Sequence, residues 1–274
     1  MGRESESQKR LIAAIERLNI HDHLCLVYET QEQEFSTVIP FMRVGLERGE
    51  RCVYIADDNT VAAIRDAMKD GGIDVDSAVK SGALLIITKR DAYLKEGHFE
   101  PELMINFLKE SVALAKKDGF SALRATGEMT WAIGESSGME KLLEYEAKLN
   151  YILPKYDISA ICQYNRNRFK PEIILEIIRT HPLVICDSTV CKNFYYVPPD
   201  EYLKPNQVNA EVERLLKNMV EREAMEIQRN EHLRELEVFF KANVGREERI
   251  MELKDEIVAL REEVEILREE LKKK

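Results

Sequence analysis

Short apolar runs alternate with segments of helical periodicity over the first two thirds of the chain. Between the runs, apolar residues recur every three to four positions, as they do on one face of an α-helix. Strict alternation of strand and helix predicts a doubly wound α/β fold, in which helices cover both faces of a mostly parallel sheet. The six predicted strands are LCLVY, RCVYIA, ALLIIT, FSALRAT, ISAICQY and LVICD.

The alternation stops at NFYYVPPDEYLKP. Pro198 and Pro199 indicate a domain edge there, because proline neither continues a helix nor serves a central strand. The pattern therefore predicts three parts: an N-terminal helix within residues 1–17, an α/β domain over residues 18–205, and a helical stalk over residues 206–274.

The end of the stalk carries a heptad repeat. Its a positions are mostly β-branched and its d positions are leucine, which favours a parallel two-stranded coiled coil. Glu256 and Glu263 occupy g positions and Arg261 and Arg268 the following e positions, so both pairs attract in a parallel homodimer. The repeat places Ile250, Ile257, Val264 and Leu271 at a, and Leu253, Leu260 and Leu267 at d.

A solitary amphipathic helix that packs on its own domain is the alternative to this coiled coil. Upstream of the repeat the apolar positions of the stalk are less regular. Asn243 and Gly245 are expected to interrupt or bend the helix there, because both are weak helix formers.

The composition fits a globular protein and argues against two classes of partner. Hydrophobic residues make up 45% of the 274 residues, enough for a buried core. A formal net charge of −10 argues against a nucleic-acid surface, which would carry clustered basic side chains. No apolar run reaches the roughly 18 residues of a membrane-spanning helix. The five dispersed cysteines are typical of reduced thiols, and we expect a cytoplasmic protein without nucleic-acid or membrane partners.

The segment after the first predicted strand lies where nucleotide-binding α/β proteins carry a phosphate loop. Such a loop needs glycines for close backbone approach and a lysine for charge. Neither residue type occurs between Tyr28 and Ser36, and Glu29, Glu32 and Glu34 would repel a triphosphate. Nucleophile-elbow and reactive-cysteine motifs are also missing from the sequence, so we expect no enzyme activity, no catalytic residues and no cofactor.

Several polar and aromatic residues follow predicted strands, where ligands bind in open α/β sheets. Arg124, Glu128 and Trp131 would lie near one rim of the predicted sheet. They could line a small-molecule pocket with an apolar wall and a few polar hydrogen-bonding groups. The alternative is structural, with Arg124 and Glu128 as an ion pair and Trp131 as core, and residue types alone leave both open. The candidate ligand-binding residues are His23, Tyr28, Glu29, Arg124, Glu128, Trp131 and Tyr164.

A metal site has weaker support. His21, His23 and Cys25 alternate, so on a strand they would project from one face. Paired C-x-x-C spacing is missing from the sequence, and a cysteine in a buried strand is commonly just a small apolar residue. We therefore expect no bound metal. Further residues that could add ligands are His181, Cys186 and Cys191.

Six stretches of the chain match one known family in order. They are GLERGERCVYIADD, GALLIIT with DAYLKEGHFEP, LRATGEMTWA, LLEYEAKLN, CQYNRNRF, and RTHPLVIC with NFYYVPP. Residues 18 to 203 thereby resemble the MEDS domain, the methanogen/methylotroph DcmR sensory domain. That family is similar in fold to RecA/KaiC-type ATPase domains but lacks the phosphate loop. The resemblance therefore implies a RecA-like sheet without a functional phosphate loop.

The resemblance also implies a sensory and regulatory role. Family members occur in regulators of methylotrophs and methanogens and are proposed to sense small hydrocarbon derivatives. We therefore expect a module that binds a small molecule and signals through its dimeric coiled coil to an output partner, such as a histidine kinase. Two alternatives remain. One is a RecA/KaiC-like nucleotide binder that does not hydrolyse its ligand, and the other is a coiled-coil scaffold.

Overall fold

The computed structural model describes residues 6–95, 97–133, 138–204 and 206–272. The chain divides into two compact units, residues 1–211 and 212–274. The first unit contains the sheet and its surrounding helices, and the second consists of a single helical segment.

Within the described residues, the strands form one seven-stranded sheet. They are β1 (His23–Tyr28), β2 (Arg51–Ala56), β3 (Leu84–Thr88), β4 (Leu123–Glu128), β5 (Ile158–Asn165), β6 (Leu183–Cys186) and β7 (Thr189–Lys192). Their order is β3-β2-β4-β5-β1-β6-β7, and every neighbouring pair is parallel except β6 and β7. The prediction of an α/β fold with a mostly parallel sheet is confirmed.

The α-helices of the described residues are α1 (Glu6–Ile15), α2 (Gln31–Glu47), α3 (Val61–Asp70), α4 (Val75–Lys80), α5 (Pro101–Lys117), α6 (Gly138–Ile152), α7 (Pro171–Thr180), α8 (Pro199–Tyr202) and α9 (Val208–Lys272). Helices α2 to α7 connect the parallel strands, α1 precedes the first strand, and α8 and α9 follow the last one. The predicted long C-terminal helix is α9. It passes through Asn243 and Gly245 as one helix, so the expected interruption does not occur.

Two hydrophobic clusters flank the sheet, because successive residues of a strand point to opposite faces. Cys25 and Cys162 belong to one cluster, while the neighbouring Leu24 and Ile161 belong to the other. β2 is buried at every position. Burial on both faces explains why the predicted strands appear in the sequence as continuous apolar runs rather than as alternating patterns.

The sequence analysis missed β7, which pairs antiparallel with β6 through a two-residue loop. Asp187 and Ser188 form this loop with φ values of 45° and 57°. Positive φ at both central residues is the geometry of the tight hairpin turns that match strand twist. These residues replace the usual Asn-Gly pair, so the hairpin carried little sequence signal.

Pro40 lies inside α2 and cannot donate a backbone hydrogen bond to the Ser36 carbonyl one turn earlier. The Gln8 side chain of α1 donates to that carbonyl at 2.8 Å instead. Leu11 and Ile15 of the same helix are buried in the core. α1 is thus part of the α/β unit, and its polar side chain compensates for the proline.

Arg124 is fully buried near the amino end of β4 and pairs with Glu50. Its Nε and Nη2 donate to the two Glu50 carboxylate oxygens at 2.5 and 3.1 Å, and its guanidinium lies 4.4 Å from the centre of the Phe41 ring. Gly45 permits this approach, since a Cβ there would lie 2.5 Å from Arg124 Cδ. Arg124 thus pairs with Glu50 and not, as the structural alternative had it, with Glu128, and it lies away from the strand ends that it was predicted to line.

Glu50→Gln should destabilise the α/β unit by about 3–5 kcal/mol, because it leaves the buried Arg124 charge without its partner. Urea unfolding followed by circular dichroism measures this loss. The matched control is Glu47→Gln, which removes an exposed partner of Arg43 and should cost less than about 1 kcal/mol. Equal effects of the two substitutions would contradict the role assigned to the buried pair.

Candidate functional site

Two buried carboxylates lie at the carboxyl end of the sheet. Glu128 is the last residue of β4. It accepts hydrogen bonds from the backbone N–H groups of Asp57 and Asn59, both at 2.9 Å, and from the Tyr54 hydroxyl at 3.0 Å. Glu34, in the first turn of α2, accepts from Asn59 Nδ2 at 2.8 Å and lies 3.2 Å from the Tyr54 hydroxyl. Asn59 and Tyr54 thus bridge the two acids.

The two carboxylates differ in how well their negative charge is solvated. Burial and the neighbouring Glu128 raise the pKa of Glu34 to about 7. Burial also raises the pKa of Glu128, but the N–H groups of Asn59 and Asp57 oppose that rise. Glu34 is therefore the acid that holds a proton below neutral pH. The pKa of the adjacent Tyr28 is raised by burial and by both carboxylates, so its hydroxyl stays protonated.

The start of α2 lies where a phosphate loop would lead into its helix. Side chains there accept hydrogen bonds from nearby backbone N–H groups. The Thr30 hydroxyl accepts from the Gln33 N–H, and the Gln33 side chain accepts from the N–H groups of Thr30 and Glu29 at 3.3 and 2.8 Å. These bonds occupy amides that would otherwise bind an anion. Glu29 itself is exposed and lies 3.2 Å from Arg166. This helix start is therefore closed to phosphate.

Trp131 lies in a buried aromatic cluster after β4. Its ring centre lies 4.8 Å from that of Tyr93 and 4.3 Å from that of Phe99, which in turn meets Tyr145 edge-on at 5.6 Å. Trp131 Nε1 is buried and has no hydrogen-bond partner among the described residues. A cavity of about 240 Å³ adjoins the cluster at Tyr93 and Met104. The cluster therefore presents aromatic ring faces and one hydrogen-bond donor, Trp131 Nε1, without an acceptor among the described residues.

A second buried group lies on the other side of the sheet from Glu34. It consists of His23 on β1, Glu146 on α6, Cys162 on β5 and His181 directly after α7, and we call it the His-Cys-Glu cluster. Glu146 Oε2 lies 3.2 Å from His23 Nε2, 3.3 Å from His181 Nε2 and 3.3 Å from Cys162 Sγ. Four potential metal-ligating atoms thus lie within 4.8 Å of one another.

The surrounding residues fix the orientation of this cluster. His181 Nδ1 lies 2.7 Å from the Ile177 carbonyl, and His23 Nδ1 lies 3.0 Å from Asn150 Oδ1. Asn150 Nδ2 donates to the Thr180 carbonyl at 2.8 Å, which turns its oxygen toward His23. Both rings therefore direct Nε2 toward Glu146. The Tyr164 hydroxyl donates to the other Glu146 oxygen.

Burial changes the protonation of the cluster. It lowers the pKa of His23, and the neighbouring His181 lowers it further. Burial raises the pKa of the Cys162 thiol, and the Glu146 charge adds to that rise. Burial also opposes ionisation of Glu146, but the two histidines outweigh it and hold the pKa of this carboxyl well below its usual value. The cluster therefore contains an ionised carboxylate that depends on its neighbours.

The structure distributes the candidate ligand-binding residues over separate places instead of one rim. His23 belongs to the His-Cys-Glu cluster and Tyr164 donates to its Glu146, while Tyr28 and Glu128 lie at the carboxylate pair. Trp131 is in the aromatic cluster, while Arg124 and Glu29 form ion pairs elsewhere.

Of the three metal candidates, only His23 joins a group of potential ligands. His21 precedes β1 with φ of 85°, and its Nδ1 faces the carbonyls of Leu153 and Tyr156. Cys25 packs in the hydrophobic core. His21, His23 and Cys25 therefore do not form one ligand set.

Sequence reasoning missed Glu146 and Cys162. Glu146 occurs in an ordinary helical pattern, and Cys162 in an apolar strand, so neither carried a metal-ligand spacing. The available signal was the alternation of Cys162 with Tyr164 on β5, whose parallel partner β1 carries His23. This signal could be used only with knowledge of the strand order, which the sequence pattern does not give.

Among the described residues, no helix combines the length and the apolar character needed to cross a membrane. The free cysteines are Cys25, Cys52, Cys162, Cys186 and Cys191.

Known proteins similar to this chain share its α/β unit. The chain is 29% identical over 162 residues to the transcriptional repressor DcmR of Methylorubrum extorquens, covering 59% of this chain. It spans only 58% of the length of that relative.

Two solved structures from Pyrococcus horikoshii match parts of this chain. One is an uncharacterized protein in complex with an unknown peptide, at a TM-score of 0.51 and 13% identity, covering 66% of this chain and 86% of the other. The second is a KaiC-like protein of strain OT3, at a TM-score of 0.42 and 17% identity, covering 60% of this chain and 69% of the other. At these identities the first likeness concerns the fold alone.

The family comparison covers strands β1 to β5 of the sheet. The model described as the MEthanogen/methylotroph, DcmR Sensory domain matches residues 22–182, which is more than half of the chain. That span includes all four residues of the His-Cys-Glu cluster, the carboxylate pair and the aromatic cluster. The protein therefore belongs to the MEDS family of sensory domains.

Proposed function

We propose that the α/β unit senses a small apolar molecule at the aromatic cluster of Trp131, Tyr93, Phe99 and Tyr145. The observation that carries this proposal is the buried Trp131 N–H, which lacks a partner among the described residues. A buried donor without an acceptor costs about 1–3 kcal/mol, so a bound acceptor would recover free energy. Membership of a sensory family and similarity to a repressor support a regulatory role.

The chemistry of the cluster selects the class of ligand. The rings of Tyr93 and Phe99 against Trp131, with Tyr145 against Phe99, favour an apolar or polarisable molecule over an ion. Burial raises the pKa values of Tyr93 and Tyr145, so both side chains remain neutral. Of the cluster, Tyr93 lines a cavity of about 240 Å³, which has room for a small compound and also includes the polar side chains of Lys95 and Glu100 in its lining. A short hydrocarbon derivative with one hydrogen-bond acceptor fits these conditions.

A path for the signal runs through α6 toward the start of α9. Tyr145 of α6 belongs to the aromatic cluster, and Tyr151, at the other end of α6, donates to Asp200 of α8 at 2.8 Å. Tyr202 of α8 donates to Glu176 of α7 at 3.0 Å. A ligand that favours one position of α6 would shift α8, which directly precedes α9 in the chain. It can do so only by binding two states with different affinity.

The output is proposed to pass through a parallel coiled-coil homodimer formed by α9. The five a and d side chains from Ile250 to Val264 are 41–53% exposed in the single chain. A second copy would cover them, and the g and e charges favour the parallel arrangement. A cytoplasmic output partner, such as a histidine kinase, would read the state of this coil. The side chains of Leu267 and Leu271 lie outside the described residues.

The nucleotide-binding alternative has less support. The position of a phosphate loop is occupied by a self-capped helix start, and Glu34 and Glu128 place acid where phosphate charge would lie. A scaffold that binds nothing leaves the orphan donor of Trp131 unexplained. We therefore propose a non-catalytic sensor.

Trp131 is the only tryptophan, so its fluorescence reports on the proposed site directly. Titration of the full chain with one- to three-carbon halogenated and oxygenated compounds should change its emission saturably for at least one compound. Trp131→Phe keeps an aromatic ring but removes the donor, so equilibrium dialysis should show an affinity about 2- to 12-fold weaker. The control Tyr195→Phe alters an exposed aromatic side chain and should bind normally. A panel without saturable binding, or full affinity in Trp131→Phe, rejects the site.

Ile257→Lys should convert a dimer of two 31.7 kDa chains into monomers, because it places a charge at a central a position. Sedimentation equilibrium or native mass spectrometry measures the mass. Ile266→Lys is the matched control, since Ile266 is equally apolar but lies at a c position and is exposed. A wild-type monomer, or dimers in both variants, contradicts the proposed coil.

Glu34→Gln should change how stability depends on pH. The folded pKa of Glu34, about 7, exceeds the ordinary value of 4.5, so the folded state binds more protons between these values. Its stability contribution is present below pH 4.5 and is lost as pH rises through 7. The wild-type free energy of unfolding should thus fall, relative to the variant, by on the order of 2 kcal/mol over this window.

Urea unfolding at intervals from pH 4.5 to 8 measures that difference. Glu32→Gln, an exposed acid in the same turn, serves as the control and should parallel the wild type. Parallel curves for wild type and Glu34→Gln would show that Glu34 does not hold the proton.

A further inference from the structure

Four of the six ligand–ligand separations in the His-Cys-Glu cluster are close to those of a tetrahedral metal site, and the other two, from His181 Nε2 to His23 Nε2 and to Cys162 Sγ, are within 4.8 Å. Metal–ligand distances of about 2.0–2.3 Å for zinc with N, O and S ligands give ligand–ligand separations of roughly 3.3–3.6 Å. The observed separations of Glu146 Oε2 from the other three ligand atoms are 3.2, 3.3 and 3.3 Å. Cys162 Sγ lies 3.7 Å from His23 Nε2. The four atoms thus surround a point that one ion could occupy.

In each imidazole, the contact made by Nδ1 orients the ring so that Nε2 can bind a cation. Nδ1 of His181 and of His23 each faces an oxygen acceptor, which fixes the proton on Nδ1 and leaves the Nε2 lone pair directed inward. His181 Nε2 is fully buried and has no hydrogen-bond partner within the described part of the chain, although Glu146 Oε2 is 3.3 Å away. Two inward lone pairs beside a carboxylate oxygen repel one another, and a cation bound between them would remove that repulsion.

The charges of the group also suit a divalent ion. The thiolate of Cys162 and the carboxylate of Glu146 would together neutralise it, and the two imidazoles would add no charge. A neutral assembly suits a site in which all four side chains are buried. Tyr164 donates to the second oxygen of Glu146, so Oε2 is left as a single ligand oxygen.

We propose that His23, Glu146, Cys162 and His181 bind one divalent ion of the zinc class. The imidazole, thiolate and carboxylate ligands are the set that zinc accepts in tetrahedral sites. Four protein ligands close the coordination sphere, so the ion would tie β1 and β5 to α6 and the end of α7 and would not catalyse a reaction. Binding transfers the Cys162 thiol proton to the buffer as the metal–sulfur bond forms. The contacts that support this metal site do not involve the ligand proposed for the aromatic cluster.

The test uses the full chain, stripped with a chelator and then loaded with Zn²⁺ or Co²⁺. After desalting, elemental analysis should find one ion per chain. The Co²⁺ form should show the visible bands of tetrahedral cobalt and a thiolate-to-cobalt charge-transfer band in the near ultraviolet. Cys162→Ser should lose the charge-transfer band, and His181→Gln should lose affinity by more than about 100-fold, beyond the effect of an outer residue.

Three controls separate a built site from adventitious binding. Cys191→Ser removes a partly buried thiol outside the cluster and should leave the spectrum unchanged. Asn150→Ala keeps all four ligands but removes the support of His23, so affinity should fall about 10- to 100-fold while the thiolate band remains. Circular dichroism must show that each variant is folded.

Three outcomes would overturn the proposal. They are a folded wild type that retains no stoichiometric metal, a cobalt spectrum without a thiolate band, and undiminished binding by both Cys162→Ser and His181→Gln. The first outcome would assign the cluster to an ion pair between Glu146 and a protonated histidine.

Discussion

Buried carboxylates must be neutralised, and the α/β unit is organised around three solutions to that requirement. Glu50 is paired with the guanidinium of Arg124. Glu146 is surrounded by two imidazoles, a thiol and a hydroxyl. Glu34 holds a proton beside Glu128, whose charge is solvated by backbone amides. Removing a partner from such a group costs several kcal/mol, which is a large part of the stability of a domain.

These solutions account for the difference between this sheet and a nucleotide-binding one. In open α/β sheets the carboxyl ends of the strands form the natural ligand crevice. Here Glu34, Tyr54, Asn59 and Glu128 satisfy one another across that crevice and leave no cation to hold a phosphate among them. The orphan donor lies elsewhere, on Trp131, in an apolar setting. The recognition chemistry that we propose for the unit is therefore aromatic rather than electrostatic.

The sequence predicted the fold well because the strands are buried on both faces, and continuous apolar runs such as RCVYIA follow from that burial. β7 escaped prediction because it is four residues long and follows a turn without glycine. For each candidate site, the sequence predicted one residue but not the residues that contact it. His23, Trp131 and Glu128 were recognisable by type and position, but the partner of each comes from a distant part of the chain. His23 meets Cys162 because β1 and β5 are neighbours, and strand order is not encoded in any local pattern.

α6 places the proposed ligand site and the proposed metal site on consecutive residues. Tyr145 contacts Phe99 in the aromatic cluster, and Glu146 lies at the centre of the His-Cys-Glu cluster. A shift of α6 that alters one contact must alter the other, since adjacent residues of a helix move together. Binding at one site would then change affinity at the other by the same factor in both directions. A closed metal site would hold α6 in one position and raise the free energy that a ligand must supply to move it. Metal occupancy would thus set the threshold of the sensor, while Tyr151 and Asp200 would connect the same helix to α8.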